Sequence, residues 1–209
     1  MQHDPFSTDA STTLLARIAA GDESAFREVY LHFFKRLYQF AHAFVKSREP
    51  AEELVEDVFV RLWQQRATVT GIQNLRVYLY IAIKNSALNY LAQKARQSIT
   101  EPFDHIHIGY EGAASSPEQL LITAEIHQKI QLAVEALPPR CKMIFKLVRE
   151  DGLKYKEIAG ILNISVNTID AQMAIAIKKI TLAIGGDLDF PIKKAARQVI
   201  RNQQFRNPG

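Results

Sequence analysis

Arg76, Tyr80, Lys84 and Leu88 stand four residues apart in the stretch NLRVYLYIAIKNSALNYLAQKAR, with Asn85 and Asn89 as a polar pair beside them. On a helix, residues four apart share a side. Cations follow phosphates, a ring stacks on a base, and amides bond to unpaired base edges. Together these suit single-stranded nucleic acid. The same residues also describe a solvated helix face with two half-buried tyrosines, and at this level both readings stand.

A second constellation is EIAGILNISVNTIDAQMAIAIKKI, from Glu157 to Ile180. It reads as helix, tight turn, helix. Ile158, Leu162, Ile164, Val166 and Ile169 are placed to pack the two helices together, and Ala159 is small where they must approach closely. Asn163 falls at the turn, where a left-handed backbone is common and Asn tolerates it. Ser165 can cap the second helix by accepting from its free N–H groups. The residues left facing outward are Asn167, Thr168, Asp170, Ala171 and Gln172. Asn and Gln can pair with adenine edges and Asp can accept from cytosine, while the helix start can hold a phosphate. Cations come late, at Lys178 and Lys179, so this segment should grip DNA weakly by itself. The alternative is a helical hairpin that touches nothing.

A third cluster is acidic. EPAEELVEDVFVRLWQQR carries Glu49, Glu52, Glu53, Glu56 and Asp57 within nine residues. The helix dipole favours carboxylates near an N-terminus, but so many exceed what capping needs. A docking face for a basic partner is the functional reading, and this density weighs against the helix lying on DNA.

Enzymatic readings find little. The carboxylates Glu52, Glu53, Glu56 and Asp57 have no histidine at metal-ligand spacing, and His105 and His107 fall in a segment without periodicity. Cys141 sits near Met143 and Ile144 and reads as a half-buried structural thiol rather than a nucleophile. There is no Gly-rich phosphate loop. No catalytic residue, metal or cofactor is expected.

The elements that must carry these residues are helical throughout. The 209-residue chain is 47% hydrophobic, with a formal net charge of +4 and one cysteine. These values allow a real core, fit nucleic-acid contact without requiring it, and exclude an internal disulfide. A reduced, cytoplasmic setting is expected. The start, MQHDPFSTDA, lacks the apolar core of a secretory signal, and no apolar run approaches the roughly 20 residues that span a bilayer.

Leu14, Leu15 and Ile18 begin a short helix closed by Gly21. A helix from about Glu23 to Lys46 carries Phe26, Val29, Tyr30, Phe33, Phe34, Leu37, Phe40 and Ala41 on a broad face. Pro50 suits the start of a third helix, and a fourth spans about Asn74 to Arg96. Then periodicity stops. Ser116, Pro117 and Gln119 form a capping signal that restarts helix. The fold class expected is all-α: two small helical domains, 1–95 and 119–185, joined by a flexible linker, 96–118. A basic tail, 186–209, follows, with Ile192, Ala195, Ala196, Val199 and Ile200 opposite its cations.

Taken in order, GDESAFREVYLHFFKRLYQFAHAFVKSREPAEELVEDVFVRLWQQR, LYIAIKNSALNYLAQKAR and LPPRCKMIFKLVREDGLKYKEIAGILNISVNTIDAQMAIAIKK resemble the regions of an extracytoplasmic-function sigma factor of bacterial RNA polymerase. The resemblance covers nearly the whole chain except linker and tail. It implies that the helix from Ala51 to Arg66 docks on the β′ clamp helices of core polymerase through Glu52, Glu53, Glu56, Asp57, Phe59 and Trp63. It implies that Arg76, Tyr80, Lys84, Asn85 and Asn89 serve melting and reading of the promoter −10 element. Asn85 would contact a flipped base, and a loop near Ala95 to Ser98 would tune the readout. The domain 119–185, which would also meet the β flap, would read the −35 element with Ser165, Asn167, Thr168, Asp170, Ala171, Gln172 and Lys178. The linker would pass near the RNA exit path, and an anti-sigma protein would hold the factor inactive. Ile81 and Asp170 depart from the family pattern, each standing where many relatives carry a cation. The rival reading is a free-standing helix-turn-helix repressor or activator binding a palindrome as a dimer.

Overall fold

The computed structural model describes residues 8–97 and 121–184, which belong to two separate compact units. Of the linker expected at 96–118, Arg96 and Gln97 instead end a helix; the rest of it, with the Ser116–Pro117 capping signal, His105 and His107, lies outside the described residues, as does the basic tail. Among those described there are helices and no strand.

In the first unit α1 is Thr8–Ala19, α2 Glu23–Val45, α3 Arg48–Gln64 and α4 Leu75–Gln97, with a 3-10 segment at Arg66–Gly71 between the last two. Leu14, Leu15 and Ile18 of α1 are buried. Gly21 takes a φ of 86° at the turn, a conformation that costs glycine little. Asp22 then caps α2 by accepting from the N–H groups of Ser24 and Ala25 at 2.9 and 3.1 Å. The backbone bond from Ala25, then the Arg17 guanidinium, hold its carboxyl below the usual range.

Helix α2 buries Ala25, Val29, Phe33, Leu37 and Ala41 at every fourth position, with Phe40 and Val45. Phe26, Tyr30 and Phe34 are only half-buried, so the fully buried stripe is narrower than the sequence implies. Lys46, at φ 57°, closes the helix with its N–H on the carbonyl of His42. Helix α3 starts at Arg48, so Pro50 is its third residue rather than its first. It is still in the first turn, whose N–H groups have no intrahelical partner. The helix ends at Gln64, and Arg66 already belongs to the 3-10 segment, so α3 is shifted toward the N-terminus relative to the expected Ala51–Arg66. Asn74 Oδ1 accepts from the Val77 N–H at 3.1 Å and starts α4. That helix runs through Gln97, so the expected loop from Ala95 is helical as far as it is described. Helix α2 packs on both α3 and α4, and α1 packs on the 3-10 segment.

In the second unit α5 is Leu121–Glu135, α6 Pro139–Arg149, α7 Tyr155–Leu162 and α8 Val166–Ile184. Pro139 opens α6, where its missing N–H costs little. Helices α5, α6 and α7 all pack on α8. Ala133, Val134, Leu137 and Cys141 meet Ala176 and Ile180 in one apolar cluster, with Ile130 and Phe145 at its edge. Burying each large apolar side chain stabilises the unit by about 1.5–3 kcal/mol. Glu135 pairs with Lys142 at 3.0 Å and Lys146 at 3.3 Å. Burial alone would raise its carboxyl, but the bonds and charges of the two lysines outweigh that and hold it below the usual carboxylate range. Cys141 is 1% exposed rather than half-buried, and its thiol donates to the Gln172 carbonyl at 3.2 Å. Burial pushes this thiol up in pKa, away from reactivity. No single described helix is long and apolar enough to cross a membrane.

Candidate nucleic-acid and docking surfaces

The chain direction turns by 110° between α7 and α8, inside the range of a helix-turn-helix. Asn163 makes the turn at φ 54° and ψ 52°, as its type and place predict. Ser165 Oγ accepts from the Thr168 N–H at 3.0 Å and lies 2.8 Å from the Thr168 hydroxyl. Both hydroxyls thus take part in the cap; Ser165 is exposed and Thr168 half-buried. Ile158 and Ile169 are buried between the helices, as is Ile161, which the periodicity did not single out. Leu162 and Ile164 are half-buried, whereas Val166 is 40% exposed and does not belong to the packed face.

Outward from this frame, Asn167, Asp170, Ala171 and Lys178 are exposed, and Gln172 is half-buried. Ile175 is 41% exposed. It stands four residues after Ala171 and three before Lys178, on the side of α8 opposite Met173, Ala176 and Ile180. In the sequence it reads as core, as an isoleucine in an amphipathic helix does. Asp170 lies close enough to Tyr155 that its charge, after burial, helps push the phenol up in pKa.

On α4, Asn85 and Asn89 are exposed and Lys84 and Arg76 half-buried. Tyr80 corrects the expected stripe. It is fully buried, with its ring edge-on to Phe40 at 4.9 Å, and it offers no face to a base. A spacing of four advances about 40° around a helix with 3.6 residues per turn, so a stripe drawn this way need not stay on one face. Here Leu75, Leu79, Ile83 and Ala87 set the buried side and Tyr80 joins them. From Leu88 to Arg96 no residue of α4 is buried, and Lys94 and Arg96 supply cations in its last turn.

On α3, Glu53, Glu56 and Asp57 are exposed and Glu52 is half-buried. Phe59 is a second correction. It is 2% exposed, packed against Tyr30 at 4.9 Å and Phe26 at 6.2 Å, and cannot meet a partner directly. Trp63 is half-buried against Phe26 at 5.0 Å, with the Arg66 guanidinium 4.9 Å from its ring centroid. Val60, 52% exposed, shares the outer face with Glu53, Glu56 and Asp57, an apolar residue that periodicity did not single out. Tyr30 borders this face: its phenol is raised by burial first, then by the charges of Glu56 and Glu52. No group of three or more His, Cys, Asp or Glu side chains converges as a metal site among the described residues.

An all-helical chain with a helix-turn-helix in one unit and an amide- and cation-bearing helix beside an acidic one in the other defines a class: a two-unit nucleic-acid-binding protein. The family models Sigma-70 region 2 and Sigma-70, region 4 match residues 29–97 and 127–180 in that order. The chain is 26% identical over 166 residues to the ECF RNA polymerase sigma-E factor of Escherichia coli K12, covering 77% of this chain and 86% of that one. It is 23% identical over 168 residues to the RNA polymerase sigma-H factor of Pseudomonas aeruginosa, again covering 77% and 86%. In fold it is similar to the sigma factor RpoE, solved with the anti-sigma factor NepR from Bartonella quintana. The TM-score is 0.50 at 21% identity, over 78% of this chain and 98% of that one. The chain belongs to the sigma-70 family and is an extracytoplasmic-function sigma factor, an alternative factor for transcription initiation.

Proposed function

We propose a residue-level division of this work. The outer face of α3, with Glu52, Glu53, Glu56, Asp57 and the exposed Val60, docks on the basic clamp helices of the polymerase β′ subunit, with Trp63 at the edge. Phe59 supports that face from beneath. Helix α4 melts and reads the −10 element, with Asn85 and Asn89 toward unpaired bases and Arg76 and Lys84 toward phosphates. The unit within 119–185 reads the −35 element through Asn167, Asp170, Ala171, Gln172 and Ile175, with Lys178 on the backbone, and meets the β flap. Ser165 and Thr168 hold the start of the reading helix in shape. The chain works in the cytoplasm and is restrained there by an anti-sigma protein, as the Bartonella factor is found with NepR.

The observation that carries this reading is the placement of exposed amides on two helices in separate units, each matched by the sigma-70 region expected there. The scarcity of cations on α8 then has a reason. Core polymerase supplies most nonspecific affinity, and linkage raises the effective concentration of each unit at its element. The test is transcription in vitro with core polymerase and a promoter library. Accurate initiation that depends on both elements is expected. Tight specific binding to duplex DNA without polymerase, and no initiation with it, would instead make this chain a free-standing regulator.

A further inference from the structure

A polar bond joins α3 to α4. Arg61, on α3 one turn after Asp57, donates from Nε to the Asp57 carbonyl at 3.2 Å and from its terminal nitrogen to Ser86 Oγ at 3.0 Å. The first contact holds the guanidinium along its own helix, and the second crosses 25 residues of sequence to α4. Ser86 follows Asn85 directly. It also lies where α4 leaves the core: Ile83 and Ala87 are buried, and nothing after them is, through Arg96. The hydrophobic driving force is non-directional, and the close packing that limits rotation of α4 ends at Ala87. A hydrogen bond has a direction and tolerates little rotation. Side-chain tips ride about 5–6 Å from a helix axis, so a rotation of roughly 10° moves an amide by about 1 Å, a large error for a base contact.

We propose that Arg61 is a positioning residue: by holding Ser86 it sets the angle at which Asn85 and Asn89 leave the fold, and ties that angle to the acidic helix that docks on polymerase. The proposal rests on the reading of Asn85 given above. Arg61 touches no base in it and acts through α4.

The test uses the full chain in holoenzyme with core polymerase, and open-complex formation on templates varied through the −10 element. Ser86→Ala is the informative variant, because alanine is a good helix former and leaves the fold intact. It should lower discrimination at the base read by Asn85 by about three- to tenfold, with core affinity within about twofold. Ser86→Thr, which keeps the hydroxyl, should restore discrimination. In an Asn85→Ala background Ser86→Ala should have no further effect on discrimination at that base. Multiplying effects would mean that the bond acts elsewhere, and would overturn the proposal. A neutral Ser86→Ala beside a damaging Asn85→Ala overturns the positioning role and leaves the reading of Asn85 in place. A neutral Asn85→Ala overturns that reading and this proposal with it.

Discussion

Helices α4 and α8 both present asparagines outward, yet they are held in different ways. Helix α8 offers its residues from its first turns, directly after a left-handed Asn163 and a Ser165 cap. Its outward face is set by a turn of a few residues. Helix α4 offers Asn85 and Asn89 from its middle, where the helix leaves the core, and its rotation depends on packing against α2 and α3 and on the bond from Arg61. Reading a duplex at a helix start needs a rigid local frame. Reading unpaired bases from mid-helix needs neighbours that fix the helix as a whole. The two helices also differ in charge: α4 has Lys94 and Arg96 in its last turn, whereas the first two turns of α8 carry Asp170 and no cation.

The comparison can be broken most strongly at Asn85. Asn85→Ala should reduce promoter opening by about ten- to a hundredfold, the range of losing one good base contact, while binding to core polymerase is kept. Loss of core association in that variant would show that reading and docking are not separate. Next in size is the docking face. Reversing Glu53 and Asp57 to Lys together should weaken core binding by about tenfold, since like charges would then oppose a basic partner; unchanged affinity in a pull-down removes the claim.

The local frame of α8 is tested by Asn163→Val. A β-branched residue in the left-handed region should cost about 1–2 kcal/mol, read as a lower midpoint in denaturant, with Asn163→Gly close to neutral. An undisturbed Asn163→Val would mean that packing, not the turn, holds the frame.

Smaller effects belong to single contacts on α8. An exposed isoleucine can touch a thymine methyl, so replacing thymine by uracil in the −35 element should lower transcription a few-fold with the natural chain and not with Ile175→Ala. Equal losses with both would place Ile175 away from bases. Asp170→Asn should shift −35 preference in a promoter library by a few-fold at one position; no shift would mean the carboxylate serves only its neighbourhood with Tyr155.

Legibility followed the same division. Asn163 and Ser165 could be read directly, because a left-handed turn and a cap involve residues within a few positions of each other. So could the acidic face, since Glu53, Glu56 and Asp57 are charged and α3 has to turn them outward. Tyr80 and Phe59 could not. Each lies on the boundary between the buried and open sides of its helix, and an aromatic side chain there can go either way. Phe40 decided for Tyr80, and Phe26 with Tyr30 decided for Phe59. Val60 and Ile175 were hidden for the converse reason: apolar residues at helical spacing look like core until the core is seen to lie elsewhere.

The residues by themselves determined the helices, the division into two helical parts, the helix-turn-helix and the family, because periodicity, caps and turn chemistry act over a few residues. Where the boundary between the buried and open sides of α3 and α4 falls was decided only by tertiary structure. That choice depends on which neighbours fill the space beside each helix, and the contacts that settle it, Phe40 with Tyr80 and Arg61 with Ser86, span 25 residues or more.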